Sequence, residues 1–204
     1  MKITEYRKYY DAPPKNPKVN KSADNSKASN MFDWVQSVVV AIVALFVLFV
    51  FVLRPVRVEG ESMLPTLQDG DWLLLSAFDF EPEYGEIVVV TQPNQTRTGE
   101  PIIKRVIATE GQQVDIDFEQ GIVYVDGKTL TEPYIKELTY RPFDVTFPLT
   151  VPEGCVFVMG DNRNDSLDSR STRIGFVDER YVLGSVKLRL FPFEPIKYRT
   201  GVEE

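Results

Sequence analysis

The chain has 204 residues, a formal net charge of −7, one cysteine and no histidine. A single cysteine excludes an intrachain disulfide and a cysteine-cluster zinc site. The lack of histidine removes the Ser-His-Asp triad, the Cys-His pair and histidine metal sites together. No metal or cofactor is expected, and a nucleophilic serine would need another base, for which lysine is the main remaining candidate.

The charge is unevenly spread. Residues 2–30 carry seven Lys or Arg against three acids, whereas the chain from Arg54 on carries 16 basic and 26 acidic residues. Phosphate attraction needs clustered cations, so no nucleic-acid partner is expected. Residues 1–30 are rich in Lys, Asn, Ser and Pro without apolar periodicity, and read as a disordered cationic tail.

Trp34-Val35-Gln36-Ser37 is followed by sixteen unbroken apolar residues, Val38 to Leu53. As a helix, residues 34–53 would span about 30 Å, the thickness of the bilayer hydrocarbon, with Trp34 as an interfacial anchor. A cleaved secretory signal fits poorly, because the run ends in Arg54-Pro55-Val56-Arg57 rather than at a small-residue cleavage site. The expectation is an uncleaved single-pass anchor. The cations ahead of it favour a cytoplasmic N-terminus and an exported domain.

From Val56 the pattern turns to β. Residues 72–78, 86–92 and 101–109 read as strands, and 113–118 alternate with Val114, Ile116 and Phe118 on one face. Residues 122–125 lead into an Asp126-Gly127 hairpin turn. Residues 155–159 are a short apolar strand, and Val186, Leu188 and Leu190 alternate with an outward Lys187 and Arg189. Residues 128–153 read as an irregular lobe or long loop. After Leu53 no segment has sustained helical periodicity. About 150 residues remain outside the anchor and tail, enough for one mostly antiparallel β domain.

Three stretches carry chemistry. In Glu59-Gly60-Glu61-Ser62-Met63-Leu64-Pro65-Thr66-Leu67, Gly60 and Pro65 set Ser62 in a turn. It lies nine residues after Leu53, hence within roughly 30 Å of the apolar run. Among the lysines beyond the anchor, Lys128, Lys136, Lys187 and Lys197 sit in turn, loop or outward positions. Lys104 is embedded in Ile102-Ile103-Lys104-Arg105-Val106-Ile107. An amine among aliphatic groups loses hydration, which lowers its pKa. A shift from about 10.4 to about 8 costs roughly 3 kcal/mol, within reach of one domain. A neutral Lys104 could then accept the Ser62 proton. An ordinary strand pair, Lys104 and Arg105 with one side chain snorkelling, accounts for the same residues. The third stretch, Gly160-Asp161-Asn162-Arg163-Asn164-Asp165-Ser166-Leu167-Asp168-Ser169-Arg170, is polar and follows an apolar strand. It reads either as a solvated loop of Asx turns or as a support in which Asp168 pairs with Arg170, Ser166 aims the Lys104 amine and Asp161 helps orient the set. Its acidic spacing does not fit an EF-hand calcium loop.

In this order, behind an apolar span, the stretches resemble the type I signal peptidases, membrane-bound serine endopeptidases that remove signal peptides from exported preproteins. Ser62-Met63-Leu64-Pro65-Thr66-Leu67 resembles the nucleophile box, Gly70-Asp71-Trp72 the start of the next, Lys104-Arg105-Val106-Ile107 the general-base box, and Gly160 to Arg170 with Gly175-Phe176-Val177 the last. The resemblance runs to about Phe193. It implies a mainly β, antiparallel, barrel-like fold with a small β lobe, preceded by one transmembrane helix. The tail would occupy residues 1–30 and the anchor 31–54. Residues 55–108 and 154–197 would form the catalytic domain, 109–153 an inserted lobe and 198–204 a second tail.

The resemblance also implies Ser62 as nucleophile and Lys104 as general base. Ser166 would hydrogen-bond the lysine, Asp168 and Arg170 would form a supporting salt bridge, and Asp161 would be a structural carboxylate. The Ser62 N–H would be one oxyanion donor. Some members carry a second donor, a serine, where Gly60 stands here. Val58, Met63, Leu67, Ile102 and Ile103 match the wall of a shallow apolar pocket for small residues, Ala-x-Ala at the cleavage site, with the substrate added as a β-strand. The expected partners are signal peptides and membrane lipid, the latter through Leu190-Phe191-Pro192-Phe193. The membrane is the cell membrane or an internal one such as a thylakoid. A catalytically silent, membrane-tethered assembly factor on the same fold is the alternative, but such a protein would be expected to lack Ser62 or Lys104.

Overall fold

The computed structural model describes residues 24–47, 53–76, 81–91 and 100–196. Lys197, the residues 198–204 assigned to a tail, and most of the cationic N-terminal segment lie outside the described residues, as do residues 77–78 and 92 of two predicted strands.

Helix α1 covers Asp24–Val47. Its segment Asn30–Val47 is long and apolar enough to cross a membrane, and none of it is buried within the protein. The helix begins earlier than the apolar run, so residues 24–30, read as part of a disordered tail, are helical. Once a helix is nucleated, each added residue brings one hydrogen bond, so polar sequence can extend it. Leu53 and Arg54, read as the end of the anchor, instead open strand β1.

The β domain begins with β1 (Leu53–Arg57), β2 (Trp72–Ser76), β3 (Ile87–Val90) and β4 (Ile102–Ala108). Next come β5 (Gln113–Asp117), β6 (Ile122–Val125), β7 (Lys128–Thr129) and β8 (Leu149–Thr150). Last are β9 (Cys155–Met159), β10 (Val177–Asp178) and β11 (Val182–Phe191). Seven strands form one sheet in the order β1-β2-β11-β3-β4-β9-β10, and four form a second in the order β7-β6-β5-β8. Every pairing is antiparallel, giving the mainly β fold expected from the alternation.

Strands β3 and β4 are buried on both faces, which explains their continuous apolar sequence. Odd residues of β3, Ile87 and Val89, join a core with Met63, Leu67 and Ile103, while even residues Val88 and Val90 join another with Val106 and Val158. A third core lies between the second sheet and β4 and β9, around Val114, Val125, Ile107 and Phe157. The main sheet curls: four places apart in strand order, β1 and β4 contribute Val56 and Lys104 to the same cleft.

One expectation fails in β11. Its pairing with β2 shifts register between Val186 and Leu188 and again between Arg189 and Phe191. A bulge reverses the inward and outward faces beyond it. Leu188 and Leu190 therefore face outward, and Arg189, expected outside, is only 4% exposed.

Candidate active site

Ser62 sits in the turn between β1 and β2. Met63 and Leu67 anchor that turn in the core, and the Leu67 N–H bonds the Met63 carbonyl at 2.9 Å. The Gly60 N–H donates to Asp69 Oδ1 at 2.8 Å, and Gly60 has φ +85°, in the left-handed region that favours glycine. A Cβ there would meet nothing within 4 Å. Backbone conformation, rather than lack of room, thus disfavours a serine at residue 60. The turn's far side is held by Thr66, whose hydroxyl donates to the Tyr134 carbonyl at 3.3 Å and whose carbonyl accepts from Arg189 Nη2.

Lys104 projects from β4, in register with Val88 on β3. Its Nζ lies 2.8 Å from Ser62 Oγ and 2.9 Å from the Ile103 carbonyl, and the residue is 3% exposed. Burial pushes the ammonium down to about 8, with the Arg170 charge acting the same way and Asp168 and Asp161 acting against it. The ammonium form donates to Ser62 Oγ, whereas the neutral amine has a lone pair able to accept the serine proton. In a chain without histidine this is the chemistry of an activated serine.

The 160–170 loop closes over this pair. Asp168 accepts from Arg170 Nε and Nη2, both at 2.9 Å, and from the Gly160 N–H at 3.0 Å. Burial alone would raise its carboxyl. The Arg170 hydrogen bonds and charge, the Gly160 N–H and the Lys104 charge together hold it below the usual range. Asp161 pairs with Arg105 through two bonds of 2.8 and 2.6 Å, both side chains being fully buried. Arg105 therefore does not snorkel. Its guanidinium also reaches the Gly85 carbonyl and lies 3.9 Å from the Tyr134 ring centre.

Ser166 departs from the expectation that it aims the lysine. Its hydroxyl is buried and has no hydrogen-bond partner, while the amine bonds Ser62 and the Ile103 carbonyl. Ser166 packs instead against Gly160, where a Cβ would stand 2.2 Å from its Oγ and 2.4 Å from the Ser62 carbonyl oxygen. Only glycine fits at residue 160.

Beside Ser62 and Lys104 opens a cleft of about 330 Å³, lined by Val56, Arg57, Glu59, Val89, Glu100, Pro101, Ile102 and Ile103. Of the five expected pocket residues, Ile102 and Ile103 line it. Val58, Met63 and Leu67 are buried in the core that also holds Ile103, so they support the cleft from behind. The partly buried Val56 and the core residue Val89 complete its apolar lining.

Sequence reasoning missed several residues. Asn162 donates from its backbone N–H to the Ser62 carbonyl and from Nδ2 to the Glu61 carbonyl. Arg163 makes a two-bond ion pair with Glu132 and bonds the Gly160 carbonyl. Arg105 had a local signal, a second cation inside an apolar strand. Glu132 and Arg189 had none.

Residues 31–191 match the family model described as Signal peptidase, peptidase S26. The chain belongs to this family. Among S26 relatives, Signal peptidase I of Bacillus licheniformis is 34% identical over 182 residues, which cover 84% of this chain and 95% of that one. Probable signal peptidase I-1 of Synechocystis sp. (strain ATCC 27184 / PCC 6803 / Kazusa) is 40% identical over 162 residues, 75% of this chain and 79% of that one. Signal peptidase IB of Staphylococcus aureus (strain MRSA252) is 32% identical over 191 residues, 85% and 96%. As an S26 member, the chain is a serine endopeptidase.

Proposed function

We propose that this S26 peptidase removes signal peptides from exported preproteins, cleaving after small residues of the Ala-x-Ala type, with Ser62 as nucleophile and Lys104 as general base. The observation that carries the reading is the 2.8 Å approach of a desolvated lysine amine to a serine hydroxyl beside an open cleft. Neutral Lys104 takes the Ser62 proton as Oγ attacks the scissile carbonyl. The resulting ammonium then gives a proton to the departing amine, leaving an acyl-enzyme that water hydrolyses. The Asp168–Arg170 and Asp161–Arg105 pairs would hold the loop and strand that frame the lysine. Ile102, Ile103, Val56 and Val89 offer apolar walls suited to small side chains.

In this reading the enzyme works at a membrane, with the N-terminus cytoplasmic and the β domain on the exported face. Support for that orientation comes from the cations preceding α1. The test is cleavage of a purified preprotein by full-length enzyme in detergent, with the product N-terminus sequenced. Wild type is expected to cut after an Ala-x-Ala site, and Ser62→Ala and Lys104→Ala are each expected to lose at least about 10³-fold in kcat. Activity surviving in Lys104→Ala would remove the lysine from the base role. Failure of the wild type on several preproteins would remove the substrate class.

A further inference from the structure

We infer that Asn162 is a positioning residue that aims the Ser62 backbone N–H at the developing oxyanion, by clamping the peptide units on both sides of Ser62. The inference rests on the reading of Ser62 as nucleophile. Asn162 is 1% exposed. Its N–H donates to the Ser62 carbonyl at 3.0 Å and its Nδ2 to the Glu61 carbonyl at 3.1 Å. The Glu61–Ser62 peptide is trans. In a trans peptide plane the carbonyl and the following N–H point in opposite directions. Holding the Glu61 carbonyl toward Asn162 therefore turns the Ser62 N–H the other way. The second bond fixes the next plane, so both backbone torsions of Ser62, and with them the direction of its Cα–Cβ bond, are set by one residue.

Three further observations support this. The Ser62 N–H donates to no described residue, leaving it available to an incoming charge. Gly60 has no side chain to offer a donor and spends its own N–H on Asp69, so the aim of the Ser62 N–H matters more. Asn162 Oδ1 is buried without a partner. An unpaired buried acceptor is costly, and an apolar side chain would avoid the cost, so the amide is explained by its donor. The Leu64 N–H also reaches the Glu61 carbonyl, at 3.2 Å, but it belongs to the same turn and moves with it. Asn162 comes from a loop tied to β4 through Asp161 and Arg105, and so supplies an external reference.

The test compares full-length wild type, Asn162→Leu, which is close in shape and has no donor, and Asn162→Ala. It measures preprotein cleavage across pH, affinity for a peptidyl boronic acid ending in Ala-x-Ala, and peptide binding in a Ser62→Ala background. Removing an oxyanion donor outright costs about 10²–10³-fold in kcat; a misaimed one should cost about tenfold or more. The expected result is that loss in kcat, a proportional loss of boronate affinity, an unchanged midpoint of the pH profile, and peptide binding within about threefold. The binding measurement also reports folding, and Asn162→Ala covers a failure of the bulkier variant. Wild-type kcat and boronate affinity in both variants would overturn the inference while leaving the Ser–Lys reading intact. A shifted pH midpoint accounting for the kcat loss would overturn it in favour of an effect on Lys104. Cleavage surviving Ser62→Ala would overturn the nucleophile reading, and the inference with it.

Discussion

At the residue scale, Lys104 carries a cost that pH exposes. Its folded pKa is lowered to about 8 from 10.5, so the unfolded chain binds the extra proton between those values. Stability therefore rises with pH across that window, and the penalty of the buried ammonium is fully present below about pH 8. Thermal unfolding is expected to show this rise in wild type and to lose it in Lys104→Met. That variant should also be more stable near neutral pH by about 1–3 kcal/mol, since a shift of one unit corresponds to about 1.36 kcal/mol. Activity runs in the same direction: kcat/KM should climb toward a plateau above about pH 8 as the amine loses its proton. Lys104 was legible in the sequence because a cation embedded in an apolar strand can be read without knowledge of its spatial neighbours. Ser166 and Asn162 show the limit, since both lie in a polar stretch whose contacts depend on which backbone groups the fold brings near. Composition marked the stretch as important, and only its path past Ser62 assigns the work within it.

At the element scale, β11 is the least regular strand and the most informative. Its bulges bring Arg189 inward to the Thr66 carbonyl and turn Leu188 and Leu190 outward. Strict alternation predicted the reverse, because register shifts are invisible to a two-residue period. The same strand ends in Phe191, paired in register with the half-exposed Trp72, and leads to Phe193; the two phenylalanines are 70% and 79% exposed. Such a patch is larger than scattered surface apolar residues, and lipid contact is the proposed use. In a Trp34→Phe background reconstituted in liposomes, brominated lipid is expected to quench Trp72 fluorescence. Quenching should weaken in Phe191→Ser/Phe193→Ser, and equal quenching in both proteins would remove lipid contact from this tip. The strands that read best, β3, β4, β5, β6 and β9, are short runs with one apolar signature each. Helix α1 was legible in its apolar part and not in residues 24–30, where only continuation from a neighbouring turn makes the helix.

At the scale of the whole molecule, the site depends on segments distant in sequence. The Arg163–Glu132 pair joins the loop over Ser62 to the segment between β7 and β8, and the Tyr134 carbonyl of that segment accepts from Thr66 in the nucleophile turn. Removing one partner of a buried ion pair leaves the other charge uncompensated, at about 3–5 kcal/mol. Glu132→Ala is thus expected to lose roughly that much stability in chemical denaturation while keeping the Lys104 pH profile. A loss below about 1 kcal/mol would mean that solvent already shares the pair. The overall architecture was legible because alternation and turn chemistry act locally, whereas this cross-link arises from contact between parts that carry no mutual signal in the chain.

The place of β11 in the main sheet sets the order in which a nascent enzyme becomes competent. In the sheet order β1-β2-β11-β3, the strand made last stands between two made early. Until residues 182–191 emerge during translation, β2 has only β1 beside it, and β3 has only β4. Ser62 lies in the turn joining the first pair and Lys104 belongs to the second, so nucleophile and base are synthesised early yet lack the strand that holds their halves together. Ser62 and Lys104 are therefore brought together only once the strand made last is in place.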